Sequence, residues 1–459
     1  MKETPSFAKP PWAEPEGFLE KHPGLSHVDA LCVDCCGTMR GKRYPADKLK
    51  SLYADGMQMP QSHFLLDVNG DNSDPMGRGY SDGDPDTTLY PVAGSLVAVP
   101  WVGGSLAQVI VSEQPAGHAA GQLTVDPRQV LARVAAKFAE LGLVPVMAVE
   151  LEFYLFDRQK DEEGRPRRAM LANGERLETT NTNSVDELEL LAPFLADLEE
   201  FCRVQNVPAS VVSSEMAASQ FEINLQHVNS PVTAGDHAVL LRRAVHAAAE
   251  RHGMRASFMP KPFLDAAGSG MHVHVSLADG AGKNQFDDGG EAGTPLLRQA
   301  IAGLQQAMPE SLAFFAPNAN AFRRFGPMQF VPLNRFWGYN NRGVAFRVPA
   351  GPASARRIEH RVAGADANPH LVLAAILAGL HHGITSKADP GQPRSGAGTE
   401  APDPAMRFDL AAALKRVAVG ELLGRYFDPA YLKSYAAVKI NERARFLDHI
   451  AGREYDWYL

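Results

Sequence analysis

Polar and apolar residues alternate strictly from Met271 to Leu277. Met271, Val273, Val275 and Leu277 fall on one side of an extended chain, and His272, His274 and Ser276 on the other. The spacing predicts a strand whose polar face is two histidines and a serine. The same period runs through MAVELEFYLF, where Met147, Val149, Leu151, Phe153 and Leu155 share one side, and Glu150 and Glu152 share the other, roughly 6.6 to 7 Å apart. In SEMAASQFEINL, Phe221, Ile223 and Leu225 oppose Gln220, Glu222 and Asn224, with Glu215 just upstream across a short Ala-Ala-Ser turn. RRIEHRV repeats the pattern, with Arg357, Glu359 and Arg361 against Ile358 and Val362.

Around these four strands the pattern predicts a strand near 344–348, helices near 186–205, 235–252, 295–308 and 368–383, and a helix opening at Asp126-Pro127. Upstream, residues 1–26 read as an extended arm rich in proline and charge. HVDALCVDCCG reads as a first strand and turn, and further strands fall around Leu89–Pro100 and Ala107–Val111. The chain thus divides into an arm (1–26), a small mixed domain (27–120) and one large α+β domain (121–459). Residues 67–86 form a long loop dense in Asp, Gly and Asn, and 387–404 a flexible excursion.

Each polar-faced strand alone reads as an antiparallel strand with one side in water. Four of them change the picture, because a large domain more often covers its sheet with helices than lines it with glutamate. The shared face therefore points to a cavity. Glu150, Glu152, Glu215, Glu222 and Glu359 gathered there repel one another unless cations neutralise them. Five carboxylates with the single imidazole of His272 suit Mg²⁺ or Mn²⁺ better than zinc, and are enough for two ions. A second constellation is basic: Arg323, Arg324, Arg342, Arg347, Arg356, Arg357 and Arg361 lie within about forty residues. Arginine is suited to a bidentate grip on phosphate and carboxylate. Metals with arginines describe polyphosphate chemistry, yet no Walker loop is present, and GTMRGK at Gly37–Lys42 is one residue short between its glycines.

Composition narrows the class further. At 459 residues, 45% apolar and with a formal net charge of −8, the chain is an ordinary globular protein and a poor partner for nucleic acid or an anionic membrane. No apolar run reaches the ~18 residues of a membrane span, and MKETPSFAKPPWAEPEG lacks a secretory signal, so a cytoplasmic protein is expected. Three of its four cysteines, Cys32, Cys35 and Cys36, crowd together without a second ligand pair at finger spacing. They read as buried small residues in a reducing compartment rather than a zinc site.

Five ordered motifs, AVELEF, SEMAASQFE, FMPKPFLDAAGSGMHVHVS, NAFRRFGP with WGYNNRGVAFRVP, and RRIEHR with ADANPHL, together resemble the glutamine synthetase family from about residue 27 onward. The resemblance implies a small N-terminal β-grasp domain and a large catalytic domain with a curved antiparallel sheet. It also implies a dodecamer of two stacked hexamers with active sites between neighbouring subunits. It makes Glu152, Glu215 and Glu222 ligands of one metal, and Glu150, His272 and Glu359 ligands of the other. His274, Ser276, Arg342 and Arg347 match ATP-binding positions, with Arg357 near the phosphates, and Gly268, Arg324 and Arg361 match positions that hold glutamate. Arg342, Arg324 and Arg361 are the implied catalytic arginines. The implied chemistry is attack of the glutamate γ-carboxylate on the ATP γ-phosphate, then displacement of phosphate by an amine.

Two departures from the family pattern bear on the amine. The turn that reads Asp-Asn-Gly-Ser-Gly in the family reads Ala266-Ala267-Gly268-Ser269-Gly270, which removes an amide side chain beside glutamate. The flap position that holds the ammonium-binding glutamate, two residues before a proline, is Phe330. Ammonium needs a carboxylate cage that a phenyl ring cannot supply. The expected activity is therefore ATP-dependent ligation of L-glutamate to a carbon-bearing amine, as in the γ-glutamyl-polyamine and γ-glutamyl-monoamine ligases, with Phe330 contacting the amine. Asp67, Asp71 and Asp74 are candidate proton acceptors. A true glutamine synthetase is disfavoured by the missing flap carboxylate, and a non-catalytic relative by six intact metal-ligand positions.

Overall fold

The computed structural model describes residues 12–114, 123–171, 173–326, 330–396 and 402–458. Two sheets organise the chain. The smaller contains β1 (His27–Val33), β2 (Met39–Pro45), β3 (Met57–Pro60), β4 (Asp86–Pro91), β5 (Val97–Ala98) and β6 (Leu106–Glu113) in the order β2-β1-β6-β4-β3, with β5 on β6. Its β1–β6 pair is parallel and the others are antiparallel.

The larger sheet contains β7 (Val144–Lys160), β8 (Pro166–Arg168), β9 (Ala209–Ser214), β10 (Gln220–Leu225), β11 (Met254–Ser257), β12 (Met271–Ala278), β13 (Trp337–Tyr339), β14 (Phe346–Val348) and β15 (Ile358–His360). Its order is β13-β14-β15-β12-β7-β10-β9, with β8 and β11 also on β7. It is antiparallel except for β13–β14. Strand β7 alternates half-buried and buried residues from Val144 to Phe153, as its hydrophobic period requires. The buried side meets a layer of helices, and the other side carries the glutamates.

The helices are α1 (Ala13–Lys21), α2 (Leu49–Asp55), α3 (Pro127–Ala136), α4 (Val185–Leu190), α5 (Ala192–Val204), α6 (Pro231–Arg251), α7 (Pro295–Phe315), α8 (Pro369–Ser386), α9 (Leu410–Ala418), α10 (Pro429–Leu447) and α11 (Gly452–Tyr458). Helix α8 is buried on nearly every side, which explains its almost uniformly apolar sequence.

Several local expectations are corrected. The extended arm contains α1, whose Pro15 lies in the first turn where a missing N–H costs nothing. Trp12 beside it packs edge-on against Tyr53 at 6.2 Å, and residues 1–11 lie outside those described. The single helix near 186–205 breaks at Leu191, because Pro193 can start a helix but not continue one. Helix α7 runs past Pro309 to Phe315 rather than stopping at 308. Proline leaves the Gln305 carbonyl without its helical donor, and Arg335 Nη1 supplies one at 3.2 Å. Burial of Leu312, Phe314 and Phe315 rewards the continuation. Residues 387–396 and 402–404 form no helix or strand, and the rest of the expected excursion, 397–401, lies outside the described residues.

Candidate active site

Strand register brings the predicted residues together. Across the β10–β7 ladder Glu222 faces Glu152, and Asn224 faces Glu150. Across β12–β7, His272 faces Glu150. Across β12–β15, His274 faces Glu359, and across β14–β15, Arg347 faces Glu359. A one-residue slip in any of these pairings turns its polar residues into the core, so burial of the opposite face fixes the site. Glu215 follows β9, where its amide closes a tight loop onto the Gln220 carbonyl at 2.8 Å.

Glu150 is the hub. Its Oε1 lies 2.7 Å from His274 Nε2, and its Oε2 lies 3.4 Å from His272 Nδ1. Arg357 Nε donates to His274 Nδ1 at 3.0 Å. That contact makes Nδ1 an acceptor, so the proton of neutral His274 sits on Nε2, toward Glu150. His274 thereby orients Glu150 while Arg357 orients His274. Glu359 is gripped by Arg347 Nη1 at 2.8 Å and by Arg361 Nη1, and Arg347 reaches Asn340 Oδ1 at 2.9 Å. Glu152 Oε2 accepts from the Gly270 amide at 2.7 Å and from Gln220 Nε2 at 3.4 Å.

The carboxylates respond to this setting in two ways. Burial drives Glu222 up to about 9, assisted by the charges of Glu150, Glu152 and Glu215. Burial and Glu152 drive Glu215 up to about 7, with Arg342 opposing. Burial also acts upward on Glu150 and Glu359. It is outweighed at Glu150 by the hydrogen bonds from His272 and His274, and at Glu359 by Arg361 with the two histidines, so both are held below the usual range. Glu222 and Glu215 are thus carboxylates that a cation would ionise. The oxygen-rich donor set fits divalent magnesium or manganese. Among the described residues, donor atoms fall into two groups within 4.8 Å: Glu150, Glu222 and His272, and Glu150, His274 and Glu359. Glu152 and Glu215 border the first group without joining it, and no cysteine belongs to either.

The arginines divide by environment. Arg324 is 2% exposed, donates to the Val362 carbonyl at 3.0 Å, and makes no ion pair among the described residues. Its stem packs against the glycine turn, since a Cβ on Gly268 would lie 2.8 Å from Arg324 Cγ and 2.7 Å from the Pro260 carbonyl. A Cβ on Gly270 would lie 3.0 Å from Arg324 Nη2 and 3.3 Å from His272 Nε2. The bare glycines let guanidinium, imidazole and carboxylate converge. Arg342 is exposed in the turn between β13 and β14, and Ser276 is half-buried on β12. Phe330 is 58% exposed, and the flap residues before it, 327–329, lie outside those described.

The candidate proton acceptors have other occupations. Asp67 is fully buried, accepts from the Asn69 and Asp71 amides, and pairs with Arg445 Nη1 at 2.6 Å, which also pairs with Asp71. Asp74 is held low by Ser81, whose hydroxyl and amide both donate to it, so it is a weak base. Sequence reasoning passed over Gln220 and Tyr154 as site residues. Their signal was present, since both share a strand face with an assigned glutamate, two residues away.

Residues 124–458 match the model of the glutamine synthetase catalytic domain. The chain belongs to the glutamine synthetase family. It is 40% identical over 451 residues to the gamma-glutamylputrescine synthetase PuuA of Escherichia coli (strain K12), covering 97% of this chain and 94% of that protein. It is 30% identical over 438 residues to a glutamate–isopropylamine ligase of a Pseudomonas species, covering 93% of each. A solved GmaS/ADP complex superposes with a TM-score of 0.82 at 25% identity, covering 96% of this chain and 98% of that one.

Proposed function

We propose that this family member is an ATP-dependent ligase joining L-glutamate through its γ-carboxylate to an organic amine, by way of a γ-glutamyl phosphate. The observation that carries the reading is the continuous polar face across β10, β7, β12 and β15, which presents four glutamates and two histidines, with Glu215 in the loop before β10, beside buried arginines. Similarity to gamma-glutamylputrescine synthetase and to glutamate–isopropylamine ligase over nearly the whole chain, with Phe330 on the flap, favours an organic amine over ammonium.

In this reading Glu152, Glu215 and Glu222 hold one divalent ion, Mg²⁺ or Mn²⁺, and Glu150, His272 and Glu359 the other. Bound there, the ions neutralise phosphate charge so that one anion can approach another. His274, Ser276, Arg342 and Arg347 bind ATP, with Arg357 toward the phosphates. Arg324, Arg361 and Gly268 hold glutamate. The buried guanidinium of Arg324, which makes no ion pair among the described residues, is a ready partner for a carboxylate, because a desolvated charge gains most from a bidentate counterion. Phe330 offers an apolar or cation–π surface to the carbon chain of the amine. The chain is taken to divide at about residues 26 and 120, to assemble as a dodecamer of two stacked hexamers, and to act in the cytoplasm, in keeping with four free cysteines.

The test is ADP release by purified protein with ATP, Mg²⁺ and glutamate, compared across ammonium and a panel of diamines, polyamines and monoamines. Turnover with at least one organic amine at a higher kcat/KM than ammonium is expected. Ammonium as the best acceptor would return the protein to glutamine synthesis. ATP binding without turnover on any amine would support a non-catalytic role.

A further inference from the structure

The turn Ala266–Gly270 has an unusual division of its peptide groups. Three successive carbonyls are each taken by a side chain: Ala266 O by Lys261 Nζ, Ala267 O by Tyr154 Oη at 2.6 Å, and Gly268 O by Gln220 Nε2 at 3.1 Å. The amides of Ser269 and Gly270 are also committed, to the Pro260 carbonyl at 2.8 Å and to Glu152 Oε2 at 2.7 Å. The amides of Ala267 and Gly268 donate to no acceptor among the described residues.

A trans peptide is rigid and planar, so its C=O and N–H point in opposite directions, and no peptide bond in the described chain is cis. The Ala267 carbonyl and the Gly268 amide belong to one such plane. Whatever holds the carbonyl therefore aims the amide the other way. Here the holder is the phenol of Tyr154, from the strand face that also carries Glu150 and Glu152. The amide consequently points away from the aromatic floor on which Tyr154 lies.

Tyr154 is itself fixed in place. It is fully buried, stacks on Phe156 with centroids 5.8 Å apart and planes within 4°, and meets Phe263 edge-on at 5.8 Å, with the Arg168 guanidinium 5.9 Å above its ring. Packing of this kind leaves the hydroxyl one direction in which to donate. Ala267 has no polar side chain of its own, so at that position the turn offers an anion its backbone amides, beside Arg324. Uncommitted amides beside a buried guanidinium form an anion-binding concavity.

We propose that Tyr154 is a positioning residue for the substrate carboxylate, aiming the Gly268 amide through its hydrogen bond to the Ala267 carbonyl. The proposal rests on the ligase reading and adds a residue outside the set that contacts metal, ATP or glutamate.

Tyr154→Phe removes one hydroxyl and leaves the ring packing. The expected result is a rise of about five- to tenfold in KM for glutamate, the weight of one hydrogen bond, with kcat and KM for ATP within about twofold of wild type. Mn²⁺ binding without substrates should not change. Titration of glutamate into protein holding Mg²⁺ and a non-hydrolysable ATP analogue should show the same weakening without turnover. With glutamate bound, amide hydrogen exchange at Gly268 should be faster in the variant than in wild type, while that at Glu150 and His272 is unchanged. Unchanged glutamate affinity in the variant, with normal binding by wild type, overturns the positioning role and leaves the ligase reading standing. Wild-type protein that binds no glutamate overturns both. A lowered Tm with equal losses in every parameter assigns Tyr154 to the fold alone and overturns the proposal too.

Discussion

Glu222 stands directly opposite Glu152 across the β10–β7 ladder, on the face where Glu150, one residue pair further along, stands opposite His272. Like charges paired across a sheet destabilise it, and here the pairing is partly relieved by protonation of Glu222, which burial and its neighbours push up to about 9. The sheet therefore stores repulsion at the place where a divalent cation can relieve it.

Cation binding should accordingly release protons. Glu215, at about 7, and Glu222, at about 9, are protonated in the cation-free protein below those values and must ionise to become ligands. Release on Mn²⁺ addition in weak buffer should approach two protons per site below pH 7, fall toward one between pH 7 and 9, and vanish above 9, with affinity rising as pH rises. The stability of cation-free protein runs the other way. Both groups have folded values above the ordinary carboxylate value, so the folded state binds more protons between about pH 4.5 and 9, and stability declines as pH rises through that window. Thermal melts at pH 6 and 8.5 should show a falling Tm without divalent ions and a smaller fall with Mg²⁺.

Arg324 gives a second expectation. Burial acts against its charge and pushes its pKa down more than the nearby charges of Glu152 and Asp366 push it up, and it makes no direct ion pair among the described residues. Replacing such a residue with an apolar one of similar length removes a desolvation penalty that offsets the lost packing. Arg324→Met should leave the Tm of substrate-free protein within about 3 °C of wild type, while glutamate affinity falls about a hundredfold or more. Differential scanning fluorimetry with and without glutamate separates the two effects: the glutamate-induced rise in Tm disappears in the variant.

The parts of this molecule that were legible in the sequence are those where one face is buried. Strands β7, β10 and β12 show a period of two because their apolar sides meet the helix layer. The same period exposed Glu150, Glu152, Glu222, His272 and His274 as a shared polar face. Strand β2, with Lys42 and Arg43 among mostly exposed residues at a sheet edge, has no such period to read. Strand β9 is half-exposed for the same reason. Proline misled in both directions. Pro193 breaks a helix the pattern would continue, whereas Pro309 does not, because Arg335 arrives from 26 positions downstream to take the stranded carbonyl. Contacts of that kind depend on distant chain segments meeting; for Tyr154 and Gln220 the period of two places the side chains on the glutamate face, but not against the glycine turn.

Helices α7 and α8 cross at bare backbone, which sets a stability expectation away from the site. A Cβ on Gly303 would lie 2.0 Å from the Gly379 carbonyl oxygen and 2.5 Å from the Gly383 amide. These are rigid backbone atoms, so Gly303→Ala must part α7 from α8, and α7 touches the large sheet where Phe315 packs on His360 of β15 with centroids 4.5 Å apart. The change should cost about 3 kcal/mol and reduce Mn²⁺ affinity indirectly as the sheet shifts. Urea unfolding followed by fluorescence, with Mn²⁺ titration on the folded fraction, reads both.

Phe330 provides the sharpest test of acceptor choice. With 58% of its surface exposed in the single chain, its ring contributes little to the core, so its replacement should change stability by no more than about 0.5 kcal/mol. A purely structural role for the ring on the flap predicts that substitution alters all acceptors alike. An acceptor-facing role predicts a change in preference. Phe330→Glu introduces a carboxylate able to hold ammonium and accept its proton, and removes the apolar surface that a carbon chain requires. The ratio of kcat/KM for ammonium to kcat/KM for the preferred organic amine should rise at least about tenfold, with KM for ATP unchanged. Phe330→Leu keeps an apolar side chain without the π face. It should retain preference for an organic amine and lose only a few-fold in amine KM, the weight of one exposed cation–π contact of about 0.5–1 kcal/mol. Steady-state assays with each acceptor, at saturating ATP and glutamate, distinguish these outcomes: an unchanged ratio in Phe330→Glu would place acceptor selection elsewhere in the site.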